Sequence, residues 1–200
     1  KLYGVPQRAE YHPEIDTGIH LEMVLDASAR MNAPLEVRFA CLCHDLGKGT
    51  TPADVLPRHI GHEQRSEQLT RALCTRWRVP VECKDLAELV AREHGNIHQS
   101  GGFGAEAVLR LLTRCDALRR PDRFLLALQA CACDARGRLG KADDAYVQGP
   151  RLAALLKAAQ SVDSAAVSAQ ALREGLQGAA IGARMDAARV AAISSAISSV

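Results

Sequence analysis

The sequence predicts an all-α protein, a helical bundle followed by an Ala-rich helical tail. Apolar residues recur at three- and four-residue spacing along most of the 200 residues, the period of a helix with one buried face. Sustained two-residue alternation of Val, Ile, Thr and aromatics, the mark of a strand, is missing. The composition is 48% hydrophobic, 24% charged and 4% aromatic. It is that of an ordinary soluble globular protein, and it excludes collagen, a coiled coil and a disordered tail.

The elements follow in order. A first helix is predicted over about 17–31, where His20, Val24 and Ala27 share one face. Pro34 suits the first turn of the next, about 34–46, which Gly47 and Gly49 close. A loop with Thr50, Thr51, Pro52 and Pro57 leads to a helix over about 61–78, with Leu69, Leu73 and Trp77 four apart and Trp77 expected to face the core. Pro80 opens another, carrying Leu86, Val90 and His94 on one side. Beyond the loop of Gly101, Gly102 and Gly104 come helices near 105–119 and 121–136, the second opened by Pro121. The composition changes near Gly149-Pro150, since residues 151–200 hold 16 alanines and no aromatic residue. Helices near 151–160, 164–174 and 182–197 are expected there, with apolar faces too narrow to stand alone. The expected division is a domain over 1–150 and a helical tail over 151–200 that packs on that domain, on RNA or on a partner.

Charge and cysteines narrow the function. The net charge is only +2, so no global field announces nucleic acid. The basic residues are mostly Arg, the better fork for phosphate. Between 110 and 141 stand Arg110, Arg114, Arg119, Arg120, Arg123, Arg136, Arg138 and Lys141 against Asp116, Asp122 and Asp134. Such a stretch suits the phosphates of an RNA end. Tyrosines for base stacking are few, so the grip is expected to rest on backbone and shape. The seven cysteines are odd in number and lie in apolar, helix-like stretches; they read as reduced core thiols of a cytoplasmic protein. No run of about 18 apolar residues exists to span a membrane.

The chemistry lies in the histidines. His44-Asp45 ends an apolar helix in the string HDLGK; His20 sits on the inward stripe of the helix before it; Asp134 shares an apolar face with Ala127 and Ala130. A lone imidazole or carboxylate buried on such a face is costly, and a shared divalent cation removes the cost for all four.

His20, His44-Asp45 and Asp134 resemble the H…HD…D pattern of the HD superfamily of metal-dependent phosphohydrolases. Further strings, GVPQ at 4–7, YHPEIDTGIH at 11–20, HDLGKGTTP at 44–52, RHIGHE at 58–63, CDARGR at 133–138, QGPR at 148–151 and IGARMDAARVAAI at 181–193, are similar to the C-terminal half of the bacterial CCA-adding enzymes (tRNA nucleotidyltransferases). The resemblance implies an HD-domain bundle with His20, His44, Asp45 and Asp134 as metal ligands. It implies hydrolysis of 2′,3′-cyclic phosphates, 2′-nucleotidase activity and phosphatase activity, with nickel or alternatively Mg, Mn or Co. Asp45 would take a proton, and Lys48 with Arg136 would offset charge on the phosphoryl oxygens.

Some HD relatives bind a second metal, for which His62, His94 and His98 are the candidates, as metal ligands or phosphate contacts. Gly95 and Asn96 are expected to threaten the helical spacing of the last two. His12 and His59, in loop-like sequence, are expected at the surface. Arg119, Arg120, Arg123 and Arg138 are the expected RNA contacts. Implied partners are the tRNA 3′ end, cyclic or 2′-phosphonucleotides, and the family's N-terminal nucleotidyltransferase domain. That domain's metal-binding acid pair has no counterpart here, Asp143-Asp144 being adjacent and late, so these residues are not expected to add nucleotides. The alternative is a non-catalytic module that orients tRNA or, through the Ala-rich tail, forms a homodimer.

Overall fold

A computed structural model describes residues 2–198. The described residues form α1 (Thr17–Arg30), α2 (Leu35–Cys43), a 3-10 turn (Leu46–Thr50), α3 (His62–Trp77), α4 (Val81–Gln99), a second 3-10 turn (Ser100–Gly102), α5 (Ala105–Arg114), α6 (Pro121–Arg136), α7 (Gln148–Gln160), α8 (Ser164–Arg173) and α9 (Ala179–Ile197). The protein is all-α, a helical bundle. By packing it separates into two units, one running to His98 and including Leu125–Gly149, the other joining Gln99–Phe124 to the chain from Pro150 onward. A single cut near 150 would leave α5 with the first unit; instead α5 packs against α9, because Val108, Leu109, Leu111 and Leu112 bury a face that the Ala-rich helices need.

In the first unit, Asp16 caps α1: its Oδ1 accepts from the Gly18 and Ile19 amides at 2.7 and 3.1 Å. The expected inward stripe of α1 is buried, with Val24 and Ala27 at 0% and 1% exposure. α2 is shorter than its periodicity suggested and gives way after His44 and Asp45 to the 3-10 turn. Gly47 in that turn lies hard against α3, its amide donating to Ser66 Oγ at 2.9 Å. A Cβ at Gly47 would stand 2.6 Å from the Ser66 amide nitrogen.

That close approach explains a correction in α3. The buried residues there are Ser66, Thr70 and Cys74, whereas Leu69 and Trp77 are exposed. Small side chains let the turn carrying His44-Asp45 approach, and the bulky stripe is rotated outward. α4 runs unbroken through Gly95 and Asn96 to Gln99, so His94 and His98 keep one-turn spacing. At the end of α6, Gly137 abuts α1 so closely that a Cβ would meet Val24 Cα at 2.6 Å; this brings Asp134 to His20.

In the second unit α5 ends at Arg114 rather than near 119. Asp116 takes a left-handed φ of 52°, a conformation Asp tolerates, and the chain turns before Pro121. α7 buries Leu152, Leu155, Leu156 and Ala159, while α8 buries only Ala171 and α9 only Ile193. Arg151 ties the glycine loop to α7 by donating to the Ser100 and Phe103 carbonyls at 2.9 and 3.0 Å. All seven cysteines are buried thiols outside any disulfide, and among the described residues no helix is long and apolar enough to cross a membrane.

Candidate metal centre

α1, the end of α2, α4 and the end of α6 bring His20, His44, Asp45, His94 and Asp134 together, each 5% exposed or less. Asp134 Oδ1 lies 3.0 Å from His20 Nε2 and 3.8 Å from His44 Nε2. Asp45 Oδ2 is 3.2 Å from His44 Nε2, and its Oδ1 faces His62 and His94 Nε2 at 3.4 and 3.6 Å. Donors thus gather in two adjacent sets, His20 with His44 and Asp134, and Asp45 with His62 and His94, joined by the His44–Asp45 contact; within each, the ligand atoms lie within 4.8 Å of one another. Donors bound at about 2.0–2.2 Å to one ion stand roughly 3–4 Å apart, so the spacing suits a metal.

Backbone carbonyls decide which ring nitrogen faces the centre. His44 Nδ1 lies 2.7 Å from the Cys41 carbonyl, His62 Nδ1 2.8 Å from the His59 carbonyl and His94 Nδ1 3.0 Å from the Val90 carbonyl. A carbonyl only accepts, so each Nδ1 carries the hydrogen and each Nε2 presents a lone pair. The buried His44 Nε2 and Asp45 Oδ1 have no hydrogen-bond partner. Orphaned buried acceptors, one in each donor set, are costly and fit a divalent cation.

His98 differs from the other three. Its Nε2 lies 2.6 Å from Asp134 Oδ2, and its Nδ1 lies 3.0 Å from the Tyr146 hydroxyl. It braces Asp134 from outside the two donor sets.

The field favours positive charge. Burial alone would lower the His20 pKa, but hydrogen bonds with Asp134 and Glu14 raise it to about 9. His44 is likewise raised against its burial by Asp45 and Asp134. Burial would raise both aspartates, yet Lys48 and His44 hold Asp45 well below the usual carboxylate range, and His98, His44 and His20 do the same for Asp134. His94, by contrast, is pushed down to about 3 by burial and by the nearby His44.

Sequence reasoning gave no role to several neighbours. Glu14 Oε1 stands 2.8 Å from His20 Nδ1 and 3.1 Å from His12 Nδ1, and its Oε2 accepts the Leu139 amide at 3.1 Å. Gln7 Oε1 accepts from Lys48 Nζ at 2.8 Å, and the same ammonium is 2.7 Å from Asp45 Oδ2. Glu14 sits inside the quoted string YHPEIDTGIH, so the signal was present, but only folding shows what it touches. His12 and His59 are half-buried instead of exposed: His12 packs edge-on to His20 at 4.6 Å, and His59 Nδ1 meets Thr51 Oγ1 at 2.7 Å. Arg136 turns away from the centre, toward the Asp144 carbonyl at 3.3 Å and Met31 Sδ at 3.7 Å. Arg123 donates to the Cys115 carbonyl at 2.8 Å, while Arg119 is exposed 3.7 Å from Asp116. Arg119, Arg120 and Arg123 lie in the second unit and Arg138 in the first.

Comparison with known proteins gives the family. The family model described as HD domain matches residues 17–136. The chain is 63% identical over 193 residues to the multifunctional CCA protein of Acidovorax sp. (strain JS42), covering 96% of this chain and 45% of that protein. It is 64% identical over 182 residues to that of Paracidovorax citrulli (strain AAC00-1), covering 91% and 43%, and 62% identical over 197 residues to that of Cupriavidus necator, covering 98% and 47%. The likeness is to the C-terminal region of those proteins, and the chain spans just under half the length of these relatives. No solved structure matches it. With four histidines and aspartates of the H…HD…D pattern gathered in one buried centre and the matched segment covering more than half its length, the chain belongs to the HD-domain family.

Proposed function

We propose that this chain is a metal-dependent phosphohydrolase: a 2′,3′-cyclic phosphodiesterase, 2′-nucleotidase and phosphatase within a CCA-adding or tRNA-repair enzyme. The observation that carries the reading is the convergence of His20, His44, Asp45 and Asp134 with unpartnered acceptors on His44 and Asp45. These four would hold one ion. His62 and His94 would hold a second, sharing Asp45, while His98 braces Asp134. Nickel is the first candidate and Mg, Mn or Co the alternatives; imidazole with carboxylate suits transition ions. When bound, such an ion lowers the pKa of its water toward about 7 and polarises a phosphoryl oxygen.

The chain's own residues supply the rest. Asp45, or a water beside it, would take a proton. Lys48, buried and steered by Gln7, brings an ammonium to the same spot and would offset charge on the non-bridging oxygens. Arg136 would act from further out, where the substrate enters. The same reading expects a cytoplasmic protein, the tRNA 3′ end as substrate and the nucleotidyltransferase domain of the parent enzyme as partner. Arg119 and Arg120 would contact RNA backbone; Arg123, committed to Cys115, contributes less. The non-catalytic alternative, a module that orients tRNA, predicts salt-sensitive tRNA binding without turnover.

The test is opening of 2′,3′-cyclic AMP by the purified chain with added Ni²⁺. The expected result is turnover that a His44→Ala/Asp45→Ala double variant abolishes; undiminished turnover in that variant overturns the proposal.

A further inference from the structure

The metal centre leaves unused a cleft of about 310 Å³ beside His98, walled by the loop of Glu10 and Tyr11, the end of α6 and the loop carrying Arg138 and Tyr146. That volume is at the small end for a ligand pocket, roughly 300–1,000 Å³. Two of the chain's three tyrosines, remote in sequence, both line it. Tyr11 is 61% exposed, an apolar ring with no core to fill. Tyr146 is half-buried with its hydroxyl fixed on His98.

The cations of the cleft are not equivalent. Lys141 is paired with Asp144 at 3.0 Å, and Arg136 gives its Nε to the Asp144 carbonyl. Arg138 is half-buried, and its buried Nε has no hydrogen-bond partner. Its charge reaches both sides of the cleft wall, helping to lower the pKa of His12 and opposing the rise of that of Tyr146. An unmatched guanidinium donor at the edge of a cavity is costly to keep, and its planar fork suits a phosphate. His98 joins the cleft to the centre, since it lines the one and touches Asp134 of the other at 2.6 Å.

We propose that this cleft binds a nucleoside phosphate, with the phosphate on Arg138 at the His98 end and the base against Tyr11. The choice of ligand rests on the phosphohydrolase reading; the site itself rests on the cavity, the Arg138 Nε without a partner and the two tyrosines in its lining. Glu10, an exposed acid in the same lining, would repel the ligand's charge.

The test is calorimetric titration of the full chain, with EDTA present to prevent turnover, using 2′-AMP and adenosine as probes. The wild-type chain is expected to bind 2′-AMP about tenfold more tightly than adenosine, and Arg138→Gln to erase that difference while leaving adenosine unchanged. Tyr11→Ala should weaken both ligands about tenfold, the cost of a lost stacking platform. Glu10→Gln should tighten 2′-AMP a few-fold, a gain that misfolding cannot imitate. Equal 2′-AMP affinity in wild type and Arg138→Gln, or no 2′-AMP binding by the wild type, overturns the cleft. If hydrolysis of 2′,3′-cyclic AMP then persists with an unchanged KM, the metal-centre reading stands without it. Arg138-dependent binding with no hydrolysis under any divalent ion has the opposite meaning: the cleft stands and the phosphohydrolase reading falls.

Discussion

The metal centre and the Ala-rich helices α8 and α9 are built on opposite economies. At the centre, polar side chains are the ones buried: His20, His44, Asp45, Lys48, His94 and Asp134 are all within 5% exposure, and backbone carbonyls orient three of the imidazoles. In α8 and α9 almost nothing is buried, only Ala171 and Ile193, and side chains are small. Burying charge demands exact partners, so the centre tolerates little change. A helix held by a thin apolar stripe tolerates much.

The largest expected effect breaks the first half of that contrast. Asp134→Ala removes a carboxylate that touches His20, His98 and His44. Loss of a proposed ligand that also balances buried imidazoles should lower divalent-metal affinity by about 100-fold, read by calorimetry. An affinity within a few-fold of wild type would show that the carboxylate is structural.

The next effect is steric. Gly47→Ala places a methyl against the α3 backbone, and overpacking of this kind costs typically about 1–3 kcal/mol. Because Gly47 lies between His44-Asp45 and His62, metal affinity should fall along with stability. A denaturation midpoint equal to that of wild type would remove the claim that this contact sets the site.

The pH dependence of the metal-free chain sharpens the comparison. His20, with its folded pKa raised to about 9, contributes stability that is fully present below its unfolded value of about 6.5 and is lost as pH rises through 9. His12 and His94, pushed down to about 3 chiefly by burial, resist protonation when folded, so stability falls as pH drops below about 6.5. Asp45 and Asp134, held low, add to the loss below the usual carboxylate range. The thermal midpoint should therefore peak near neutrality and decline on both sides. A His94→Asn/His12→Asn double variant should flatten the acid limb, and a limb of unchanged steepness would assign it to other groups.

The smallest effect has the opposite sign. Gly182 in α9 has open space where a Cβ would go, so Gly182→Ala should stabilise the chain by roughly 0.5–1 kcal/mol and leave metal binding alone. Destabilisation there would mean that the tail is as tightly packed as the centre.

How far the sequence could be read follows from the same contrast. His20 and Asp134 were legible because each lies on an otherwise apolar helical stripe with Val24 and Ala27, or with Ala127 and Ala130, so period and burial agree. Trp77 was misread because periodicity cannot tell which of two stripes is inward. In α3, small Ser66, Thr70 and Cys74 win because Gly47 packs on their backbone. Gln7 and Tyr146 could not be given roles, since their partners Lys48 and His98 are remote in sequence; Glu14 stood inside a quoted string, but only the fold shows that it joins His12 and His20.

Local chemistry, then, already determined that the chain would be helical and that an H…HD…D set would be turned inward, because helical period and the cost of burying polar groups act within a few residues. Tertiary structure alone decided that His98 braces Asp134, that Arg136 turns away, and that Tyr11 and Arg138 share a cleft. Those outcomes depend on groups supplied by other parts of the chain, and only packing brings them within reach.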